Sequence, residues 1–423
     1  MPLSAAEQYL LELMNRARLD PAAEAARMGI DLNAGLQSGQ IDATAKQVLA
    51  PNALLEAAAT NHSLWMLSAD VFSHTGANGS TPPLRIKAEG YAASGWGENI
   101  ALTGTTAGAS LQAQIEQMNS GLFLSAAHRI NLMNGQLREV GIGAESGIFT
   151  QNGTNFNATA LALDFGTSGT AHFLTGVAYG DTNNDRFYSI GEGAADVVFA
   201  AAGKSTATSA AGGYALALGP ETAVAVTGLV GVKTFALTVD MAPGNVKLDL
   251  VSGTTFYTSG SVALGNGVNN VLLLGVGALN ASGNAAGNAL TGNAAANVLL
   301  GYGGADVLIG AAGVDTMKGG MANDRLNGGK GADVMNGGLG LDRFIFTTGD
   351  GNDQITDFKV AEGDRLLLDD ALWGGSTLKA ANVIANFATT GVGELVLDFG
   401  NGDVIHLVGL TTPAGLDALI DIF

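Results

Sequence analysis

The 423-residue chain predicts a multidomain fold, α+β in its N-terminal third and all-β beyond it, and three observations carry that expectation. Apolar residues recur at helical spacing only before about residue 170. From Ala171 to Leu264 short β-type runs alternate with Gly, Ser and Asn turns. In the last third an aspartate recurs every nine residues, at Asp306, Asp315, Asp324, Asp333 and Asp342. Each is the sixth residue of a glycine-led unit: GYGGADVLI, GAAGVDTMK, GGMANDRLN, GGKGADVMN and GGLGLDRFI, from Gly301 to Ile345.

Bulk composition narrows the function classes. Charged residues make up only 13% of the chain, and acids outnumber bases 38 to 19. The net charge of −19 argues against nucleic acid and anionic membrane surfaces and favours cations. The 62 glycines are about twice the usual share. A hydrophobic content of 47% supplies a core, so the glycines read as turns rather than disorder. With no cysteine, the chain uses no disulfide staple, even outside the cell. The start, MPLSAAEQYLLELMNRARLDP, has no basic segment and no continuous apolar stretch. It reads as a mature amphipathic helix rather than a signal peptide. No segment offers ~18 uninterrupted apolar residues, so no membrane span is expected.

Taken in order, Ser4 and Glu7 form a capping box, and Tyr9, Leu10, Leu13, Met14 and Ala17 follow at helical spacing. Pro21 ends or kinks that helix. Helical patterns return at Leu54 to Leu67, Ala107 to Met118 and Ala126 to Met133, with Gly- and Asn-rich turns from Thr75 to Pro83. Strand-like runs, Glu139 to Gly143 and Ala158 to Leu163, close this α+β domain, residues 1–168. Segment 171–264 reads as a small β-sandwich, with runs at Val197 to Phe199, Tyr214 to Leu218, Thr222 to Thr227 and Val246 to Val251. Segment 265–346 holds the nonapeptides, including the degenerate units GNAAGNALT and GNAAANVLL. Segment 347–423 is acidic, mixed and β-rich.

Within the middle segment, DTNNDRFYSIGE (Asp181 to Glu192) spaces its oxygens as a calcium loop does. Asp181, Asn183 and Asp185 hold places one, three and five; Ser189 and Glu192 hold nine and twelve. Arg186 stands at the sixth place, where an EF-hand has glycine, and no helix pattern flanks the loop. The stretch is similar to β-sandwich modules of bacterial surface proteins, with DxNxD…GE near the first strand. The alternative is a plain Asn/Asp turn.

The physics of a nonapeptide is simple. Its leading glycines allow positive φ in a tight turn. The aspartate and the turn carbonyls then offer oxygens to a hard cation such as calcium. The following three residues form a short strand whose middle side chain points inward: Leu308, Met317, Leu326, Met335 or Phe344. Two units complete one turn of a parallel coil, stacking the carboxylates in rows that repel without metal, so metal binding should drive folding. The pattern resembles the RTX calcium-binding family, with consensus GGxGxDxUx. In the degenerate units Asn288 and Asn297 hold the aspartate place, which lowers the charge. The segment Phe344 to Phe358 looks like the cap that follows such β-rolls. The resemblance implies calcium as the ligand. It also implies export through type I secretion machinery using an uncleaved C-terminal signal, with which LDALIDIF (Leu416 to Phe423) is compatible.

In the N-terminal segment the phrases LMNRARLDP, FSHTGANGSTPPLRIKAEGY, GENIA, SAAHRINLM and REVGIG recur in order. Together they resemble the bacterial form of the CAP superfamily over about residues 4 to 166. That resemblance implies an α-β-α sandwich with a shallow cleft carrying two histidines and two acids. His74 in FSHTG matches the first histidine, Glu98 in GENI the first acid and His128 in AAHR the second histidine. Glu116 and Glu139 are rivals for the second acid. Two imidazoles can bind zinc, with a carboxylate orienting one ring, or the set can simply tie the cleft loops together. His62, one helix earlier, reads as a packed helix histidine. No GxSxG, HExxH, CxxC or P-loop occurs. The expectation is a secreted calcium-binding protein, free or held at the cell surface, whose head binds an extracellular lipid, glycan or protein. A metal-assisted hydrolase using His74, Glu98 and His128 is the alternative.

Overall fold

The computed structural model describes residues 2–105 and 110–423. The chain forms two compact units. The first runs to Val224 and adds Gly228–Val232 and Asp240–Gly253; the second takes Ala225–Thr227, Lys233–Val239 and Thr254–Phe423.

The first unit opens with α1 (Ala5–Leu19), held at its start by the expected capping box: Ser4 Oγ accepts from Glu7 N at 3.3 Å and Glu7 Oε2 from Ser4 N at 2.8 Å. Pro21 does not kink this helix. It begins α2 (Pro21–Arg27), where its missing N–H costs nothing, and Asp20 caps the turn by accepting from Ala23 N at 2.9 Å. Then come β1 (Ala50–Pro51), α3 (Ala53–Ala69), α4 (Pro82–Ala88), β2 (Gly95–Thr105), α5 (Leu111–Leu124), α6 (Ala126–Leu132), β3 (Glu139–Gln151) and β4 (Thr154–Thr167). The first three residues of the helical pattern at Ala107 lie outside the described residues. The strands form one sheet in the order β1-β3-β4-β2, so β2 is an edge.

Strand periodicity decides which layer each residue faces. Along β4, Ala158, Ala160 and Ala162 pack with Ala59 and Met66 of α3 and with Ile100 of β2. Gly141 and Gly143 of β3 lie so close under this helix that a Cβ would collide with the backbone at Leu55 and Ala59. The alternate residues Leu161, Leu163 and Phe165, all fully buried, face the other layer. The LMNRARLDP phrase is mostly structural. Asn15 accepts from Leu49 N at 2.7 Å, and fully buried Arg18 donates to the carbonyls of Gln47, Leu132, Asn134 and Leu137 at 2.7–3.1 Å.

The 171–264 segment carries strands and, among the described residues, no helix, but its strands are apportioned between the two units. In the first unit His172–Tyr179 pairs in parallel with Val246–Val251 and antiparallel with Gly213–Leu218. Buried Lys247 joins these strands to α1, pairing with Glu12 at 2.6 Å and with Asp249. One ammonium serves two buried carboxylates here, and removing it would leave both without a counter-charge.

In the second unit the nonapeptides wind as the coil predicted from their period. Successive strands alternate between two parallel sheets, and each residue pairs with one eighteen positions on: Leu299 with Met317, Met317 with Met335, Leu308 with Leu326, Leu326 with Phe344. Those middle side chains are fully buried, from Ala281 and Leu290 through Phe344. The coil ends in an antiparallel hairpin, Glu394–Gly400 with Asp403–Val408, and a helix, Ala380–Phe387. The tail Ile420–Ile422 adds a last parallel strand beside Arg365–Leu368, fastened by Arg365 Nε to Asp421 Oδ2 at 2.6 Å.

Candidate functional site

The five nonapeptide aspartates stand in two rows, one on each side of the coil. In one, Asp306 N–H donates to Asp324 Oδ1 at 2.8 Å and Asp324 N–H to Asp342 Oδ1 at 2.9 Å. In the other, Asp315 N–H donates to Asp333 Oδ1 at 2.7 Å. The second oxygen, Oδ2, of all five is buried and receives no donor. Each sits against the leading glycine of its own unit, where a Cβ at Gly301, Gly310, Gly319, Gly328 or Gly337 would collide with it. The glycine is therefore required by the carboxylate as well as by the turn. Burial raises the carboxyls of Asp306, Asp315 and Asp342 to about 6 and Asp324 to about 7, and it raises Asp333 as well. A donor-free buried carboxylate oxygen among turn carbonyls is the hard oxygen environment that calcium takes. In the rows as they stand, these residues would hold it.

Two residues continue the rows that the nine-residue phase did not reveal. Asp353 Oδ1 accepts from Asp333 N at 2.9 Å, and Asp364 Oδ1 from Asp342 N at 3.0 Å. They lie twenty and twenty-two residues on instead of eighteen, so the period breaks while the geometry persists. Burial lifts the Asp353 carboxyl to about 8, with Asp333 and Asp350 adding repulsion.

The Asp181–Glu192 loop is drawn together. Asp185 N–H donates to Asp181 Oδ1 and Asn183 Oδ1 at 3.1 and 3.0 Å, and Arg186 N–H to Asp181 Oδ2 at 3.2 Å. Glu192 folds back to accept from Thr182 N and Ser189 N, both at 2.9 Å. Arg186, at the glycine place, adopts φ of +62°, the left-handed geometry that place calls for.

Of the residues expected in the head cleft, Glu98 lies on the edge strand β2. Glu98 is buried and held from two sides: Oε1 accepts from His74 Nδ1 at 2.6 Å and Oε2 from the Arg85 guanidinium. Arg85, on α4, also donates to the carbonyls of His74 at 3.0 Å and Ser80 at 3.1 Å, fixing the FSHTG loop. Bonding through Nδ1 leaves Nε2 of the half-exposed His74 ring open. His128, on α6, is positioned through the backbone. Asn99 Nδ2 donates to its carbonyl at 3.0 Å, and Asn131 Nδ2 donates to Glu98 O at 3.1 Å and Asn99 Oδ1 at 2.8 Å. Gly97 lets α6 approach, since a Cβ there would press on Asn131. Burial first, and the His74 charge second, lower the His128 pKa. His62 is buried, stacks on Trp65 at 5.5 Å and bonds Ser73 O through Nε2 at 2.9 Å, a packed histidine.

Neither rival for the second acid reaches these groups. Glu116 accepts from Tyr9 Oη at 2.7 Å, tying α5 to α1. Glu139 is enclosed by Asn52 at 2.6 Å, Tyr91 at 2.7 Å and Ser168 at 2.9 Å. The acid beside Glu98 is Asp164, its register partner on β4 and 1% exposed. No donor reaches either of its oxygens. Burial first, then the Glu98 charge, raises its pKa well above the usual carboxylate range, which favours the protonated form beside Glu98. One signal in the sequence marks it: an acid inside an otherwise apolar strand, ALALDFG.

Among the described residues no three His, Cys, Asp or Glu side chains converge on one point. For calcium in the rows this is expected, because carbonyls supply most ligands. For zinc in the cleft, His74 and His128 supply two ligands where a catalytic site has three from protein, so the fit is incomplete.

Comparison with known proteins places these features. Residues 11–157 match the model of the cysteine-rich secretory protein (CAP) family. Residues 282–317, 309–344 and 318–355 match that of the RTX calcium-binding nonapeptide repeat. No curated protein matches significantly. An extracellular protein containing a SCP domain from Bacillus anthracis overlays 38% of this chain and 40% of its own, at 19% identity and a TM-score of 0.26. The chain thus spans less than half of that relative. An outer surface protein from Borrelia burgdorferi overlays 36% of this chain and 96% of its own, at 17% identity and a TM-score of 0.23. The extracellular lipase LipA from Serratia marcescens overlays 37% and 40%, at 14% identity and a TM-score of 0.19. No helix among the described residues is long and apolar enough to cross a membrane. The chain joins a CAP domain to a β-roll of RTX calcium-binding repeats.

Proposed function

We propose that this is a secreted protein whose roll folds on meeting calcium outside the cell and whose CAP cleft binds an extracellular ligand, a lipid, glycan or protein. The observation that supports calcium-driven folding is the set of five buried aspartate oxygens with no donor. Packed without cations, they leave the roll acidic and under-satisfied, so the metal's binding energy becomes folding energy. Export through a type I channel accords with an unfolded roll inside the cell, where calcium is scarce. The test is circular dichroism and limited proteolysis of the intact chain across a calcium titration. The β signal of the roll should rise, and protection of residues 301–345 should appear, in one cooperative step. Equal signals in EGTA and in calcium would sink the reading.

Ligand binding by the head is supported by an open imidazole nitrogen fixed by a buried carboxylate. Co-sedimentation with phosphatidylcholine and phosphatidylglycerol vesicles, and glycan-array binding, should weaken at least tenfold in His74→Ala with His128→Ala. A second reading, metal-assisted hydrolysis in the same cleft, draws on the Glu98–His74 pair, because a carboxylate behind an imidazole raises its ligand strength. Zinc titration followed by ester and peptide turnover separates the two. Zinc-dependent turnover lost in His128→Ala would favour the hydrolase. Ligand binding indifferent to zinc and without turnover would remove it.

A further inference from the structure

The roll contains two kinds of turn, and only one of them is built for a cation. In the five aspartate units the second residue has positive φ: Tyr302 at 73°, Ala311 at 83°, Gly320 at 120°, Gly329 at 79° and Gly338 at 102°. In the asparagine units the second residues, Asn284 and Asn293, do not. Left-handed geometry at Tyr302 and Ala311 is unfavourable for residues that carry a Cβ and persists only where something compensates it.

Hydrogen bonding separates the same two groups. In the asparagine units the second residue's own N–H donates to the oxygen of the sixth: Asn284 N to Asn288 Oδ1 and Asn293 N to Asn297 Oδ1, both at 2.8 Å. In the aspartate units the matching oxygen, Oδ2, receives nothing. The side-chain amide of the second residue bridges two carbonyls of the coil before it. Asn284 Nδ2 donates to Gly265 O at 2.8 Å and Val268 O at 2.9 Å; Asn293 Nδ2 donates to Gly277 O at 2.8 Å, with Leu274 O at 3.4 Å. Tyr, Ala and Gly at that place in the aspartate units have no amide to offer. At the sixth place of the second asparagine unit the direction of bonding reverses, while Asn288 Nδ2 in the first turns to Asn284 Oδ1 of its own unit at 3.4 Å. Asn297 Nδ2 donates to the preceding coil's Leu279 O at 2.7 Å, whereas each aspartate accepts from the preceding coil's N–H. One kind of turn is closed by its own N–H donors. The other is an all-acceptor pocket that an added cation must complete.

We infer that the calcium array begins at Gly301, and that the turns from Gly283 to Leu300 are a calcium-independent first section in which asparagine amides stand where the ions stand later. This section offers preformed strands, Asn280–Ser282, Ala289–Thr291 and Val298–Gly303, on which the calcium-requiring coils add in register. It converts a costly nucleation into propagation, because the first coil of a solenoid has no neighbour to pair with.

The inference rests on calcium-driven folding of the roll, and one experiment distinguishes the failure of each. Hydrogen exchange is followed on the intact chain in EGTA and in millimolar calcium. The amides of Ala286, Ala289 and Ala295, whose acceptors are Asn284 Oδ1, Asn269 O and Asn293 Oδ1, should keep their protection within about threefold. The amides of Asp324, Arg325 and Val334 should lose about 100-fold or more in EGTA. Loss in both groups overturns the calcium-independent section and leaves calcium-driven folding intact; loss in neither overturns that reading itself. As a second variant, Asn284→Gly with Asn288→Asp rewrites one unit in the aspartate style. Titration calorimetry should then count one more calcium per chain, and an unchanged count would show that the amides are not what excludes the ion.

Discussion

At the residue scale, the cleft is governed by where a proton sits. Asp164 and Glu98 face each other at the end of a row of alanines, and the buried pair cannot carry two charges cheaply. Since the folded state raises the Asp164 pKa, its contribution is most favourable below the ordinary carboxylate pKa of about 3.9 and is lost as pH rises toward the folded value. With calcium in excess, the head should therefore melt at progressively lower temperature as pH climbs, and Asp164→Asn should flatten that dependence. A mutant with the same slope as wild type would refute the assignment of the proton. Arg18 shows the structural counterpart. Its guanidinium serves four carbonyls from a fully buried position, so Arg18→Leu strands several acceptors at once and should cost roughly 3 kcal/mol or more, read as a lower melting temperature of the head.

At the scale of the element, the nonapeptide turn couples glycine, aspartate and metal. Gly319→Ala places a methyl on the Asp324 carboxylate and the Gly337 carbonyl. It should raise the calcium midpoint for roll folding about tenfold or abolish the transition. Proton linkage adds a direction. The carboxyls of Asp306, Asp315, Asp324 and Asp342 are raised to about 6 to 7. The calcium-free roll is therefore favoured below about pH 4 and loses stability as pH rises through 6 to 7. Calcium needs the deprotonated form, so its apparent affinity should fall steeply between about pH 7.5 and 5.5. Calorimetry at the two values checks this; equal affinities would mean that these carboxylates are not the ligands.

At the scale of the molecule, the two compact units respond to different conditions. Raising free calcium to about 100 times its dissociation constant stabilises whatever binds it by about 2.7 kcal/mol per independent site. Scanning calorimetry should show the roll transition moving upward with calcium while the head transition stays near its place. The roll and its metal were legible in the sequence, because a nine-residue period puts equivalent side chains in equivalent places without reference to anything distant. His74, Glu98 and His128 were legible as local phrases, FSHTG, GENI and AAHR. Asp164 was not, because its importance comes from strand pairing with a residue more than sixty positions earlier. Nor were Asp353 and Asp364, which keep the row while leaving its period. The contrast between asparagine and aspartate turns was visible only as a loss of charge. The sequence by itself thus determined the repeat, the metal and the head family, all of which rest on local spacing. Tertiary structure alone decided which acid lies beside Glu98, that Glu116 and Glu139 serve other contacts, and which turns close with their own hydrogen bonds. Those outcomes depend on burial and on partners brought from elsewhere in the chain.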